Sequence, residues 1–145
     1  MTKTIHLQLR RRIFIGRVII LLIEHKNTEN QVRLMVTIIN EKEFAEKIRT
    51  NLATNNTRPL VVDCFTDWCP PCKASAPVYE SLSKKYTEAD FVKINVDNNP
   101  GVAHKLNVQG VPTFAILRGN KLIAKIVGAD MRKVESKIKE AIKEA

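Results

Sequence analysis

Two kinds of hydrophobic pattern alternate along the chain from residue 35 onward. Short runs rich in β-branched residues, typical of strands, are followed by stretches in which apolar residues recur every three or four positions, as in helices. Strands are predicted at 35–39, 60–66, 91–96, 113–117 and 122–127, and helices at 41–54, at 72–86, around 101–106 and after 130. The resulting order, βαβαβαββα, predicts an α/β fold in which a mixed sheet is covered by helices on both faces.

Polar residues at the ends of these runs indicate where the elements begin and end. Asn40, with Glu43 three residues later, has the spacing of a capping box, and Asp130 is a candidate cap for the last helix. Pro77 lies inside the second predicted helix and should kink it. The residues 118–121 predict a hairpin turn. The predicted inner faces are Phe44, Ala45, Ile48 and Leu52 in the first helix and Val134, Ile138, Ala141 and Ile142 in the last.

Asp63 interrupts the apolar run 60–66, which is otherwise typical of a fully buried strand. An isolated ionised carboxylate is costly to bury, so Asp63 either has a charged partner or changes its protonation state. Lys93, inside the apolar strand 91–96, is the candidate partner. A purely structural Asp63–Lys93 pair without a kinetic role is the alternative interpretation.

A Cys-x-x-Cys sequence stands where the second strand gives way to a helix, which puts Cys69 at a helix N-terminus. Unpaired N–H groups and the helix dipole stabilise a thiolate there, so Cys69 is the predicted nucleophile. Cys72 lies one turn further along, is expected to be more buried, and would attack a mixed disulfide formed on Cys69. Asp63 would take the proton of Cys72, directly or through a water, as a general base.

Composition narrows the class of protein. The chain has 145 residues, the size of one domain, and a formal net charge of +9. Residues 1–34 carry seven Lys and Arg against two Glu, so the rest is only mildly basic, and no basic stripe interleaved with aromatic residues indicates nucleic-acid binding. Three cysteines, an odd number, do not make a disulfide framework and favour a reducing compartment, hence a cytoplasmic location.

The segment 1–34 differs from the rest of the chain, because Arg10, Arg11 and Arg12 precede an apolar run at 13–23. This arrangement resembles a signal anchor or an organellar presequence. Arg17 interrupts the run, however, and the run is far shorter than the roughly 20 residues that span a bilayer. We therefore interpret 1–34 as an extension and 35–145 as the domain, with membrane contact through 13–23 or organellar targeting as the less favoured alternatives.

Four motifs that follow one another at characteristic spacings carry a family resemblance. They are Val61-Val62-Asp63, Trp68-Cys69-Pro70-Pro71-Cys72-Lys73, Val111-Pro112-Thr113 and Val127-Gly128-Ala129. With them, residues 35–145 resemble the thioredoxin family. The resemblance implies a five-stranded mixed sheet flanked by four helices and dithiol–disulfide exchange on protein substrates. It also implies re-reduction by an NADPH-linked flavoenzyme, thioredoxin reductase, with no cofactor bound to the chain itself.

The resemblance also assigns candidate substrate-binding residues. The proline that corresponds to Pro112 is cis in the family, and the residue before it, here Val111, pairs its backbone with the substrate. An apolar rim around Cys69 would dock extended polypeptide. The candidate substrate-binding residues are Trp68, Pro70, Pro71, Val111, Pro112, Gly128 and Ala129.

Two residues depart from the family pattern. Pro70 replaces the usual glycine, which removes a backbone N–H beside the Cys69 sulfur and stiffens the loop. A Cys-Pro-Pro-Cys site also resembles tryparedoxin and nucleoredoxin relatives, so the natural reductase stays open. Cys64 stands where the family usually has an aromatic residue, and we expect a small buried hydrophobe rather than a regulatory thiol.

Other classes of protein compete with this interpretation. A zinc module would use Cys69 and Cys72 as half of a tetrahedral site, but the histidines lack the paired spacing for the other half, so no metal is expected. A non-catalytic binding module and a membrane-tethered redox protein remain alternatives. A protein disulfide isomerase domain is the nearest enzymatic rival, and a histidine at the position of Pro71 would have favoured it.

Overall fold

The computed structural model of the protein describes residues 36–145; the predictions for 1–34 and for Met35 lie outside the described residues. The described elements are β1 (Thr37–Ile38), α1 (Glu41–Ala53), β2 (Leu60–Phe65), α2 (Pro70–Lys85), β3 (Asp90–Asn95), α3 (Pro100–Lys105), β4 (Thr113–Arg118), β5 (Lys121–Val127) and α4 (Met131–Lys143). The predicted order of strands and helices is confirmed.

The strands form one five-stranded sheet in the order β1-β3-β2-β4-β5. β1, β3 and β2 run parallel, whereas β4 is antiparallel to β2 and β5 is antiparallel to β4. The sheet is therefore mixed, as predicted. In register, Asp63 of β2 lies opposite Lys93 of β3, and Cys64 lies opposite Thr113 of β4.

Two apolar layers cover the two faces of the sheet. Leu60, Val62 and Cys64 of β2 pack with residues of α1 and α3 on one face. Val61 packs on the other face with residues of α2 and α4. Because side chains alternate along a strand, Asp63 points to the same face as Val61, the face covered by α2 and α4.

The ends of several elements differ from the prediction. The first strand is shorter than 35–39 within the described residues: β1 spans two residues with exposed side chains, and it pairs with β3 at the edge of the described sheet. α2 begins at Pro70 rather than at Cys72, because proline is tolerated in the first turn of a helix, where no intrahelical N–H bond is lost. Pro77 lies within this helix as expected.

The capping predictions are confirmed, but the predicted face of α1 is partly wrong. Asn40 and Glu43 form a capping box, and Asp130 accepts a hydrogen bond from the N–H of Lys133 at the start of α4. Ala45 and Leu52 are exposed, whereas Asn51 is buried. The spacing from Phe44 through Ile48 continues to Asn51 on the same helix face, so Leu52 falls outside it.

No helix within residues 36–145 combines the length and the apolar character that crossing a membrane requires.

Candidate active site

The two cysteines of the Cys-x-x-Cys sequence lie at the start of α2 and form a disulfide. Cys69 is the N-cap residue, and its Sγ accepts a hydrogen bond from the N–H of Cys72 at 3.2 Å. Pro70 and Pro71 occupy the first two helical positions and have no N–H to donate. The predicted helix N-terminus is therefore present, but Cys72 alone of these first three helical residues can donate an N–H to the sulfur.

Both cysteines are buried: only 2% of the surface of Cys69 and 4% of that of Cys72 remain exposed. The expectation that Cys72 is clearly more buried than Cys69 is wrong for this oxidised form, in which the bonded sulfurs shield each other.

Asp63 is a fully buried carboxyl group. Burial raises its pKa from 3.8 to about 6, and the positive charge of Lys93 partly opposes this rise. The Lys93 Nζ lies 3.8 Å from Oδ2 of Asp63, beyond hydrogen-bond distance. Neither carboxyl oxygen has a hydrogen-bond partner among residues 36–145. Asp63 therefore exchanges a proton near neutral pH more readily than an ordinary carboxyl does.

Lys93 is the charged partner that the sequence predicts for Asp63. Its side chain is 15% exposed, and its ammonium also lies 4.9 Å from the centre of the Phe65 ring. Asp63 faces the layer that contains α2, the helix that carries both cysteines. Asp63 and Lys93 thus lie on the face of the sheet that is covered by the helix carrying both cysteines.

The proline loop comes to the same end of the sheet as the cysteines. The Val111–Pro112 peptide bond is cis, as the family resemblance implies. The next residue, Thr113, pairs with Cys64 of β2 and with Val127 of β5. Gly128, at a φ of +90°, donates its N–H to the carbonyl of Pro112 at 2.8 Å. This hydrogen bond ties the glycine turn to the proline loop.

Trp68 is an exposed residue of the predicted rim, with 68% of its surface accessible. Its indole Nε1 donates a hydrogen bond to Oδ2 of Asp97 at 2.8 Å. One residue earlier, Asp67 accepts a hydrogen bond from the amide of Asn95 at 3.0 Å. These contacts join the loop after β2 to the loop after β3 and fix the residues that lead into Cys69.

The other predicted rim residues divide into exposed and covered ones. Pro70, Pro71 and Ala129 are exposed, Val111 and Gly128 are half-buried, and Pro112 is buried. Pro112 therefore supports the rim from below. Sequence reasoning did not assign Val127 to the rim, although this residue is 60% exposed beside the glycine turn.

Asp67, Asn95 and Asp97 were also missed. The signal that could have found them is positional: all three follow or end adjacent parallel strands at their carboxyl ends, where polar side chains of α/β folds gather. Tyr79 of α2 was also missed, because its aromatic ring is typical of a buried core residue. Its hydroxyl lies within hydrogen-bond distance of the carbonyls of Val61 and Val92, at 3.0 and 2.9 Å.

Cys64 is the third cysteine, and it is fully buried and unpaired. Burial, with a further contribution from the charge of Asp63, raises the pKa of its thiol to about 12. A thiol that is neither accessible nor ionised is unreactive. The expectation of a small buried hydrophobe at this position is confirmed.

The geometry of the cysteine pair and the sheet defines a redox-active dithiol protein of the α/β class. The family model described as Thioredoxin matches residues 35–144, and the chain belongs to the thioredoxin family. It is a thiol–disulfide oxidoreductase, a protein-disulfide reductase that acts on disulfide-containing substrates. The other classes considered from the sequence are not favoured by these matches.

Individual relatives agree with this assignment. Thioredoxin AMT13 of Alternaria alternata is 38% identical over 103 residues, which cover 71% of this chain and 83% of the relative. The structure of thioredoxin f from spinach chloroplast, long form, is 33% identical with a TM-score of 0.71, covering 79% of this chain and 93% of the other. Thioredoxin f2 in the complex with ferredoxin:thioredoxin reductase is 31% identical, with a TM-score of 0.69 and coverages of 75% and 96%.

Proposed function

We propose that Cys69 attacks the substrate disulfide, that Cys72 resolves the resulting mixed disulfide, and that Asp63 accepts the proton of Cys72. The observation that carries this proposal is the Cys69–Cys72 disulfide at the first turn of α2, on the face of the sheet where Asp63 is buried. The position of Cys69 as the cap of the helix supports its assignment as the first nucleophile, because its sulfur accepts the Cys72 N–H.

The exchange proceeds in two displacements that conserve thiols and electrons. The Cys69 thiolate attacks one sulfur of the substrate disulfide, forms a mixed disulfide and releases the other substrate sulfur as a thiolate. The Cys72 thiolate then attacks the Cys69 sulfur and releases the second substrate thiolate. The chain ends as the Cys69–Cys72 disulfide, and the two electrons of the dithiol have passed to the substrate.

The second displacement requires the proton of Cys72 to leave. Asp63 supports this step because its raised pKa, about 6, makes its carboxylate a better base than an ordinary aspartate. Lys93 acts on Asp63 through its charge and keeps part of the carboxyl ionised near neutral pH. Both residues are therefore assigned to proton transfer rather than to substrate contact.

Substrate binding is assigned to the rim around Cys69. The exposed ring of Trp68 and the prolines 70 and 71 lie on one side, and the proline loop with the glycine turn lies on the other. An extended polypeptide between them would pair its backbone with Val111, as β-augmentation does in other peptide-binding proteins. Pro112, Gly128 and Ala129 shape the floor and edge of this cleft.

A trapping experiment tests the two cysteine roles. The variant Cys72→Ser retains the attacking thiol of Cys69 but lacks the thiol that resolves the mixed disulfide. It should therefore accumulate a stable mixed disulfide with a disulfide-containing substrate such as insulin. The adduct should be visible by mass spectrometry without reductant and absent when Cys69 is also replaced by Ser. Adduct formation through Cys72 in a Cys69→Ser variant, and none in Cys72→Ser, would reverse the assigned roles.

We further propose that an NADPH-linked flavoenzyme, thioredoxin reductase, supplies the electrons. The family resemblance supports this partner. The similar protein thioredoxin f2, in contrast, was solved in a complex with ferredoxin:thioredoxin reductase. The full-length oxidised chain should be reduced by NADPH and the flavoenzyme, which is followed as loss of NADPH absorbance upon addition of insulin. Reduction by the ferredoxin-linked enzyme alone would overturn this choice and leave the cysteine relay intact.

We place the protein in the cytoplasm, because a buried free thiol at Cys64 and a disulfide that is redox-active suit a reducing compartment. Imaging of the full-length chain with a C-terminal fluorescent tag tests this location. Diffuse fluorescence supports it, and an organellar or membrane pattern would assign a targeting or anchoring role to residues 1–34.

A further inference from the structure

Asn95, the last residue of β3, joins the loop after β2, which leads to Cys69, to the loop after β3. Its side-chain amide donates a hydrogen bond to Oδ2 of Asp67 in the first loop, at 3.0 Å. Its side-chain oxygen accepts the backbone N–H of Asp97 in the second loop, at 3.1 Å. Asn95 is 8% exposed, so water competes little for these bonds. One buried side chain therefore holds the two loops together.

The two partners of Asn95 act on Trp68 from two sides. Asp67 directly precedes Trp68 in the chain, and Asp97 accepts the hydrogen bond of the indole at 2.8 Å. Because most of the surface of Trp68 is accessible, packing against the core covers only a minor part of this residue. The position of the indole therefore depends on Asp97, and Asp97 is in turn held through its backbone N–H by Asn95.

Asn95 is itself anchored to the body of the domain. It lies opposite Phe65 in the parallel pairing of β3 with β2. The amide of Asn99 donates a hydrogen bond to the Asn95 carbonyl at 2.8 Å. The side-chain oxygen of Asn99, which is also buried, accepts the N–H of Glu41 at the start of α1, at 2.7 Å. The bridge between the two loops is therefore supported by the sheet and by α1.

The chemistry of the two contacts calls for an amide side chain at position 95. The carboxylate of Asp67 can only accept a hydrogen bond, whereas the backbone N–H of Asp97 can only donate one. Asparagine supplies a donor for the first contact and an acceptor for the second. An aspartate of the same shape would keep the second contact but would face the carboxylate of Asp67 across the 3.0 Å of the present bond, where like charges repel.

We propose that Asn95 is a positioning residue for the reduction of protein disulfides, and that it acts by holding the Trp68 ring in place at the edge of the substrate cleft. This inference rests on the proposed function, which assigns Trp68 to substrate binding. A polypeptide that docks along the rim gains from a ring that is already in place, because ordering a loose side chain on binding costs affinity. A small disulfide that reaches Cys69 without covering the rim gains nothing from it. Asn95 therefore raises the rate with polypeptide disulfides relative to small ones.

Two substrates test the proposal: insulin, and bis(2-hydroxyethyl) disulfide, which is small and uncharged. The rate constant for oxidation of the reduced, full-length protein by each is followed by mass spectrometry after alkylation of the remaining thiols. Asn95→Asp should lower the ratio of the insulin rate constant to the small-disulfide rate constant on the order of fivefold, the scale of ordering one large side chain. The ratio does not depend on the fraction of folded protein, because both substrates report on the same folded molecules. The fluorescence anisotropy of Trp68, the single tryptophan, should fall as the ring gains freedom.

The exchanged variant Asp67→Asn/Asn95→Asp separates positioning from a general loss of structure. In this variant the amide and the carboxylate have traded places, so the hydrogen bond between the two side chains can form again. The net charge equals that of wild type, which removes any electrostatic effect of the added carboxylate on insulin. Both the ratio of rate constants and the Trp68 anisotropy should return to the wild-type values, as expected for two residues that act as a pair.

Asn56→Asp is the matched control, before the other end of β2. The amide of Asn56 donates to Oδ1 of Asn51 at 3.2 Å, and its oxygen accepts the N–H of Arg58, two residues later, at 3.0 Å. The control should leave the ratio and the anisotropy unchanged. A wild-type ratio in Asn95→Asp, or a lowered ratio that the exchanged variant does not restore, would overturn the role of Asn95. Failure of the wild type to react with either disulfide would instead overturn the proposed relay.

Discussion

Replacement of Asp63 by asparagine should raise the free energy of unfolding at pH 8 by about 2 to 3 kcal/mol. The pKa of Asp63 rises from 3.8 to about 6 because the carboxyl is fully buried. A shift of about two pKa units corresponds to about 3 kcal/mol, which the native state loses when the buried group ionises. Asparagine has nearly the same shape and no charge, so this cost is absent from the variant.

The effect has a definite dependence on pH. Between about pH 4 and pH 6 the unfolded chain has released the Asp63 proton whereas the folded chain still holds it, so the stability of wild type falls as pH rises. Below about pH 4 both states are protonated and the variant gains little. Urea unfolding of the oxidised protein at several pH values measures both curves; a constant difference at all pH values would assign the gain to packing rather than to ionisation.

Asp90 offers a matched control for the stability effect. It also lies on β3 at a partly buried position, but its carboxylate is paired with Arg58 at 3.3 Å and Lys47 at 3.8 Å. Asp90→Asn removes a charge that has partners and should not stabilise the fold.

Asp63→Asn should in addition slow resolution of the mixed disulfide on the order of tenfold or more, because the proton acceptor is lost. Unchanged kinetics would make Asp63 and Lys93 a structural pair.

Replacement of Cys69 by serine should reduce disulfide-reductase activity by at least about a thousandfold. A serine hydroxyl is scarcely ionised near neutral pH, so the first displacement has no nucleophile, and removal of a nucleophile costs factors of this size in other enzymes. Insulin reduction with dithiothreitol as electron source measures the activity. The expected rate is that of dithiothreitol alone.

Cys64→Ala provides the control within the same chain. Cys64 is buried, unpaired and has a thiol pKa raised to about 12, so it contributes no reactive thiolate. The alanine variant should fold and retain activity. Loss of activity in Cys64→Ala together with retained activity in Cys69→Ser would contradict the assignment of the nucleophile.

The order of the elements was predictable because each carries a local signal. β2 is an apolar run interrupted only by Asp63, α4 has a regular apolar spacing, and Asn40 with Glu43 has the spacing of a capping box. The Asp63–Lys93 pair was predictable for a different reason: a charged residue in each of two apolar strands leaves each as the other's available partner. These features depend on residues that are neighbours in the sequence, or on the need of a buried charge for a partner of opposite charge.

The features that were missed depend on contacts between distant parts of the chain. Trp68 and Asp97 are 29 residues apart, and their hydrogen bond follows from the positions of two loops rather than from any periodicity. The equal burial of Cys69 and Cys72 follows from the covalent bond between them, and Leu52 is exposed because the buried stripe of α1 ends at Asn51. Sequence patterns specify the faces of elements better than their last turns.

The proline pair at the start of α2 bears on how strongly the reduced protein donates electrons. Pro70 and Pro71 each fix one backbone torsion of the segment that joins Cys69 to Cys72. The dithiol form therefore has little chain entropy to lose when the ring closes, and the effective molarity of one thiol toward the other is high. Neither proline donates an N–H that would stabilise the open thiolate. We expect both effects to favour ring closure and therefore to make the reduced protein a stronger electron donor, which the equilibrium potential measured against glutathione would test.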